Sequence, residues 1–173
     1  PRILDLYIPK GARVADVTYG KGVFWKKVDP SNYELHFSDI ESKMPEAKTG
    51  IDATDLPFEN EYLDALVFDP PYMEGFYRNA QENLAGDGTH AAFRHHYSNG
   101  SVTQRTDLKY HDLVVDIYMR AAREARRVLK KNGVYIVKCQ DEVSANRQKL
   151  THVEIIYGLS GLGFYCKDLF VIT

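Results

Sequence analysis

In the N-terminal half of this chain, short apolar runs alternate with turn signals, and aspartates close them. Ala12 to Val17 reads as a buried strand ending at Asp16-Val17-Thr18, before a Gly-rich turn. Gly22 to Val28 reads as a helix with Phe24 and Val28 on one face, broken by Asp29-Pro30-Ser31-Asn32. Tyr33 to Ser38 alternates as a strand and stops at Asp39. Pro45 makes the next crossover short or irregular, and Gly50 to Thr54 is a weak strand around Asp52. Leu63 to Phe68 is the strong strand and runs into Asp69-Pro70-Pro71-Tyr72.

From Met73 to Tyr110 the pattern fades into Gly, Asn, Ser, His and Arg, the composition of a mobile, functional connection. Helical spacing returns at His111, with Leu113, Val114, Ile117, Tyr118, Ala121, Ala122, Ala125, Val128 and Leu129 on one side. Arg120, Arg123, Arg126 and Arg127 take the other, a solvated face, and Asn132-Gly133 is the expected stop. Val134 to Lys138 follows as a strand, Leu150 to Leu162 as a helix and Phe164 to Ile172 as a final strand. Strands alternating with helices predict an α/β fold with a mostly parallel sheet. Such a sheet binds ligands at the carboxyl ends of its strands, where Asp16, Asp39, Asp52 and Asp69 all fall.

The length of 173 residues suits one domain over 1–173, with 73–110 as its substrate loop. With 22 Lys+Arg against 24 Asp+Glu, bulk charge does not announce a nucleic-acid partner, so any basic surface is local. Cys139 and Cys166 form no CxxC pair, which argues against a disulfide framework or a cysteine zinc site; no metal is expected. No signal peptide or membrane-length apolar run is visible, so the expected compartment is cytoplasmic.

The turn Asp16-Val17-Thr18-Tyr19-Gly20-Lys21-Gly22 lets the backbone approach a ligand closely. The third glycine of the dinucleotide spacing is missing, with Trp25 in its place, and Asp16 suits a cationic or amino-bearing ligand better than a pyrophosphate. Asp39, 17 positions beyond Gly22, stands where ribose hydroxyls are bound, with Glu41 as a nearby rival. Asp52, beside Ala53, could accept from an adenine amino group, with Leu56 and Phe58 flanking the ring. In Asp69-Pro70-Pro71-Tyr72 the Pro pair lacks both N–H donors and fixes both φ angles. The stiff turn offers a carboxylate, an unpaired carbonyl and an aromatic plate, a set that suits a planar group bearing an NH₂.

These pieces, in this order, resemble the S-adenosylmethionine-dependent amino methyltransferases, in particular DNA adenine-N6 methyltransferases whose cofactor motif precedes the catalytic motif. The resemblance runs from about Val14 to Thr173. It implies a Rossmann-like class I methyltransferase fold, with helices on both faces of a mostly parallel sheet; the chain departs from the family in that the antiparallel strand ending the family's sheet, after the one expected at Phe164 to Ile172, is not found in it. It makes Asp69, Pro70, Pro71 and Tyr72 catalytic, and assigns the methionine part of the cofactor to Asp16, Thr18, Gly20 and Gly22. Asp39 becomes the ribose acid and Asp52 the adenine acid, ahead of Asp55, with Ala53 and Asp69 also lining the cofactor. Cofactor and product would be S-adenosylmethionine and S-adenosylhomocysteine.

The implied activity is methyl transfer to the N6 amino group of adenine in DNA, after base flipping and by in-line displacement. Tyr72, Phe76, Tyr77, Arg78 and Arg94 are the expected target contacts, because aromatics interleaved with cations suit flipped bases and phosphates. The partner is DNA, ahead of RNA. The family's separate target-recognition domain has no counterpart beyond 73–110, so a second copy or partner subunit would supply recognition. A restriction-modification role is one context for such an enzyme. Cytosine-N4 methylation, RNA amino methylation and a non-catalytic cofactor- or nucleic-acid-binding module are the competing readings.

Overall fold

The computed structural model of the chain describes residues 2–42, 44–71, 108 and 111–171. In chain order its elements are α1 (Arg2–Tyr7), β1 (Arg13–Asp16), β2 (Glu34–Asp39), β3 (Lys48–Thr49), β4 (Leu63–Phe68), α2 (His111–Val128), β5 (Leu129–Val137), β6 (Glu142–Ser144), β7 (Arg147–Lys149) and α3 (Thr151–Gly161). Strands β1 to β5 form one sheet in the order β3-β2-β1-β4-β5, and every neighbouring pair is parallel. The chain builds outward from β1 to β3, then returns to the other side of β1 for β4 and β5. The order therefore reverses between β1 and β4, the place where a doubly wound sheet opens a crevice at its carboxyl edge.

Helices cover both faces, which is why β4 reads as one apolar run rather than an alternating one. Ala65 and Val67 of β4 join Val14 of β1 under Leu4 and Ile8, at α1. Leu66 and Phe68 point the other way, with Ala15, onto Val114, Ile117, Tyr118 and Ala121 of α2. This is the Rossmann-like α/β architecture expected from the sequence, with a five-stranded parallel sheet.

Four local expectations need correction. The helix expected over Gly22 to Val28 is a single 3-10 turn, Val23–Trp25, because Gly22 enters it in the left-handed region without a side-chain cap and Trp25 turns inward as a buried residue. The strand expected over Gly50 to Thr54 is instead the two-residue β3 just before it. Gly50 turns at φ 79, and Asp52 accepts from the Thr54 N–H at 2.8 Å, so a side-chain turn replaces the ladder. Helix α2 stops at Val128, short of Asn132-Gly133; Leu129 already pairs with Leu63, and Ala65 then pairs with Val134. The intervening residues bulge, with Asn132 at φ 65.

The last correction is the final strand. Phe164 packs on Tyr135 of β5, while Tyr7 of α1 donates to Asp168, stacks edge-on with Phe170 and lies under Lys167. Side-chain contacts anchor this segment, and residues 164–171 pair with no strand among the described residues. The hairpin β6–β7 was not foreseen; Ala145 and Asn146 turn it with φ of 49° and 61°, the two positive values that a tight hairpin turn requires. No described helix is long and apolar enough to cross a membrane. The expected loop over 73–110 lies outside the described residues, except for Leu108.

Candidate active site

The carboxyl ends of β1, β2 and β4 open on one cleft, lined by Asp16, Thr18, Gly20, Asp39, Asp52, Ala53, Asp69, Pro70 and Pro71. The structure thus brings together nearly all the described residues expected at the site. Gly22 does not line the cleft but lies against Tyr19, which does. Its φ is 65°, and a Cβ there would lie 2.5 Å from the Tyr19 hydroxyl oxygen. Tyr19 is fixed in turn by Phe37, with ring centroids 4.4 Å apart, and by a 2.9 Å hydrogen bond to Glu46. Burial, reinforced by Glu46, pushes the Tyr19 phenol up to about 12.

Asp16 is buried, at 2% exposure. Trp25 Nε1 donates to its Oδ2 at 2.6 Å, and the Thr18 N–H donates to its Oδ1 at 3.0 Å. Burial pushes its carboxyl up to about 6; the Trp25 and Thr18 bonds pull against this, and the nearby Asp69 charge adds to the rise. The Thr18 hydroxyl accepts the Asp69 N–H at 2.7 Å, which staples the end of β4 to the turn after β1. Asp39 accepts from the Gly20 N–H at 2.8 Å and from the Glu41 N–H at 3.1 Å, so the ribose candidate also shapes the glycine turn. A carboxylate oxygen has a second lone pair, and both oxygens remain able to accept from a ligand. Asp52 is oriented by Thr54, whose N–H and hydroxyl each reach its Oδ1 at 2.8 Å.

The apolar walls differ from expectation. Leu56 is buried in the core beneath the sheet, and Phe58 stacks on Tyr62 at 5.8 Å, outside the cleft. Ile51, Ala53, Phe24 and Ile117 supply the apolar lining instead. Tyr72, Phe76, Tyr77, Arg78 and Arg94 lie outside the described residues.

Two functional neighbours escaped the sequence reading. Trp25 replaces the third glycine with an indole N–H that holds Asp16. Lys138, just past β5, donates from Nζ to Asp69 Oδ2 at 2.9 Å. The signal for Lys138 was register: with Phe68 opposite Val137, the residue after each strand is level with the other.

No protein-family model and no curated protein matches the chain. Solved structures that resemble it include a candidate methyltransferase from an antibiotic biosynthesis pathway of Anabaena variabilis ATCC 29413, at 15% identity and a TM-score of 0.45, over 95% of this chain and 54% of that one. The 4+2 cyclase SpnF is similar at 16% identity and a TM-score of 0.49, over 92% of this chain and 56% of its own. A complex of the Haloferax volcanii Trm112 methyltransferase activator with a candidate methyltransferase matches at 12% identity and a TM-score of 0.36, over 75% of this chain and 46% of that one. The chain spans about half the length of these structures. Likeness at this level leaves the chemistry to be argued from the site itself.

Proposed function

We propose that the chain is an S-adenosylmethionine-dependent methyltransferase that methylates the N6 amino group of adenine in DNA. One observation carries the reading: the Thr18–Asp69 staple joins a turn of acceptors suited to an amine to an acid-lined cofactor cleft. Asp16, Asp39, Asp52 and Asp69 together give the cleft a surplus of acceptors and negative charge. That donor set fits S-adenosylmethionine, which carries an ammonium, a sulfonium, ribose hydroxyls and an adenine amine. It fits a dinucleotide poorly, because the glycine turn leads into a 3-10 turn rather than a helix N-terminus that could receive a pyrophosphate.

In this reading Asp16 faces the methionine part, Asp39 the ribose hydroxyls and Asp52 the adenine amine. When bound, the cofactor supplies an electrophilic methyl group on a sulfonium sulfur, which leaves as a neutral thioether with the electrons of the broken S–CH₃ bond. The Asp69 carboxylate and the Pro70 carbonyl each accept one N–H bond of the target amine. Both acceptors favour a more pyramidal nitrogen, whose lone pair forms the new N–CH₃ bond. Positive charge grows on that nitrogen during transfer, so fixed acceptors bind the transition state better than the ground state. Asp69, already bonded to one N–H, is placed to take the proton that the methylated nitrogen then sheds. Tyr72, which ends the Asp-Pro-Pro-Tyr motif, offers the flipped base a stacking face in this reading.

Nucleoside mass spectrometry after incubation with S-adenosylmethionine and unmethylated DNA or RNA tests the reading. N6-methyladenine in DNA is the expected product. N4-methylcytosine would reassign the base, methylation confined to RNA would reassign the polymer, and no methylated nucleoside from either would overturn the proposal.

A further inference from the structure

We infer that Lys138 is a positioning residue of the transfer site, holding the Asp69 carboxylate in the orientation from which it meets the target amine. This rests on the amino-methyltransferase reading above and extends it to a residue outside the Asp-Pro-Pro-Tyr motif. Asp69 is held at two points. Its N–H is tied to the Thr18 hydroxyl at 2.7 Å, and its Oδ2 to Lys138 Nζ at 2.9 Å. No other described residue donates to this carboxylate, so Oδ1, which accepts from none of them, can meet a ligand N–H while Oδ2 is held by the ammonium.

Lys138 itself is anchored from two directions. Its N–H donates to the Phe68 carbonyl at 3.0 Å, and its own carbonyl accepts from the buried Tyr118 hydroxyl at 2.9 Å. Tyr118 packs edge-on against Phe68 at 5.5 Å, so the core under the site sets where the lysine stem begins. Lys138 does not line the cleft, whereas Asp69 does. The ammonium thus meets Asp69 at Oδ2 without itself lining the cleft. Charge supports the arrangement: Asp16 and Asp69, at the ends of adjacent strands, repel each other, and Lys138 offsets the second of these carboxylates.

Without Lys138, Asp69 keeps its backbone anchor but can rotate about its side-chain bonds. A reacting group misplaced by about 1 Å costs on the order of 10²-fold in rate, and partial misplacement costs less. Lys138→Met is therefore expected to lower kcat about 10–100-fold at saturating DNA and S-adenosylmethionine. Calorimetric binding of S-adenosylhomocysteine should be unchanged, and Lys138→Arg should recover much of the rate. The ion pair is partly exposed, with side chains at 46% and 28%, so its loss should leave the fold intact, and thermal melting checks this.

The decisive arm is a double-mutant cycle. If Lys138 acts through Asp69, then Lys138→Met in an Asp69→Ala background should cause no further loss in single-turnover methylation. Wild-type turnover in Lys138→Met would overturn the inference. An equal loss in both backgrounds would overturn it too, since the lysine would then act independently, as a phosphate contact would. A wild-type protein that methylates no nucleic acid would instead fail the underlying reading, and this inference with it.

Discussion

At the amino end of β4, Asp64 meets Lys130 at 2.6 Å; at its carboxyl end, Asp69 meets Lys138 at 2.9 Å. Strand β1 and the turn after it complete these arrangements, since the Arg13 N–H reaches Asp64 at 2.8 Å and the Thr18 hydroxyl accepts the Asp69 N–H at 2.7 Å. Two nearly matching clusters thus stand at opposite ends of one strand. The carboxyl end opens on the cleft that Asp69 lines. There the strand order switches: β2 follows on the far side of β1 and β5 on the far side of β4, so β1 and β4 lie side by side at the switch point. The contrast teaches that an Asp–Lys pair is not itself a functional signal. Its position relative to the switch in strand order decides what it can touch.

The comparison breaks most visibly at Asp69. Asp69→Ala should lower single-turnover methylation on the order of 10²–10³-fold, as when one preorganised hydrogen-bonding group is removed from a reacting centre. Asp64→Ala should leave turnover per folded molecule unchanged. Equal effects at the two ends would end the catalytic assignment.

Asp16 makes the carboxyl edge pH-sensitive. Its folded-state value of about 6 lies above the ordinary 3.8, so the unfolded chain ionises this group first. Stability should therefore fall as pH rises from about 4 to about 6, by up to about 3 kcal/mol, and remain lower above that window. Denaturation midpoints across this range, compared with Asp16→Asn, measure the contribution. An equally steep fall in the variant would assign it to other groups.

Asp39→Ala should weaken S-adenosylhomocysteine binding by about 1.5–3 kcal/mol through lost hydrogen bonds to a charged acceptor, as read by calorimetry. Equal binding of NAD, or no binding of either compound, would contradict the cofactor assignment.

The smallest effect belongs to the amino end. Burial alone would raise the Asp64 carboxyl, but Lys130 and the Arg13 N–H outweigh it and hold the group below its ordinary value. Its stabilisation is present above the ordinary carboxylate range and is lost as pH falls through the lowered folded value. The side chains of Lys130 and Asp64 are 41% and 29% exposed, so Lys130→Met should cost at most about 1 kcal/mol in denaturant unfolding, with turnover intact.

Local chemistry made much of this fold legible. Apolar runs placed β1, β2 and β4 within a residue or two, and 3.6-residue spacing placed α2; the helix expected over Leu150 to Leu162 is α3. These signals lie within short windows, because one face of a helix or both faces of a central strand must be apolar to be buried. Turn chemistry found the acids at the strand ends, and all four line the cleft. Local windows failed where a competing contact came from elsewhere. The early end of α2 depends on Leu129 pairing with Leu63, and the unpaired segment after α3 depends on contacts with Tyr7 at the other end of the chain.

The sequence by itself determined the parallel α/β class, the central apolar strands and the acids at their carboxyl ends, since periodicity and turn residues act over a few positions. Only the tertiary structure decided that Trp25 holds Asp16, that Thr18 receives the Asp69 N–H and that Lys138 stands behind Asp69. Thr18 and Asp69 are 51 residues apart, and Asp69 and Lys138 are 69 apart. Such pairs meet only when the two faces of β4 are packed and the register with β1 and β5 is set, and no local pattern encodes that register.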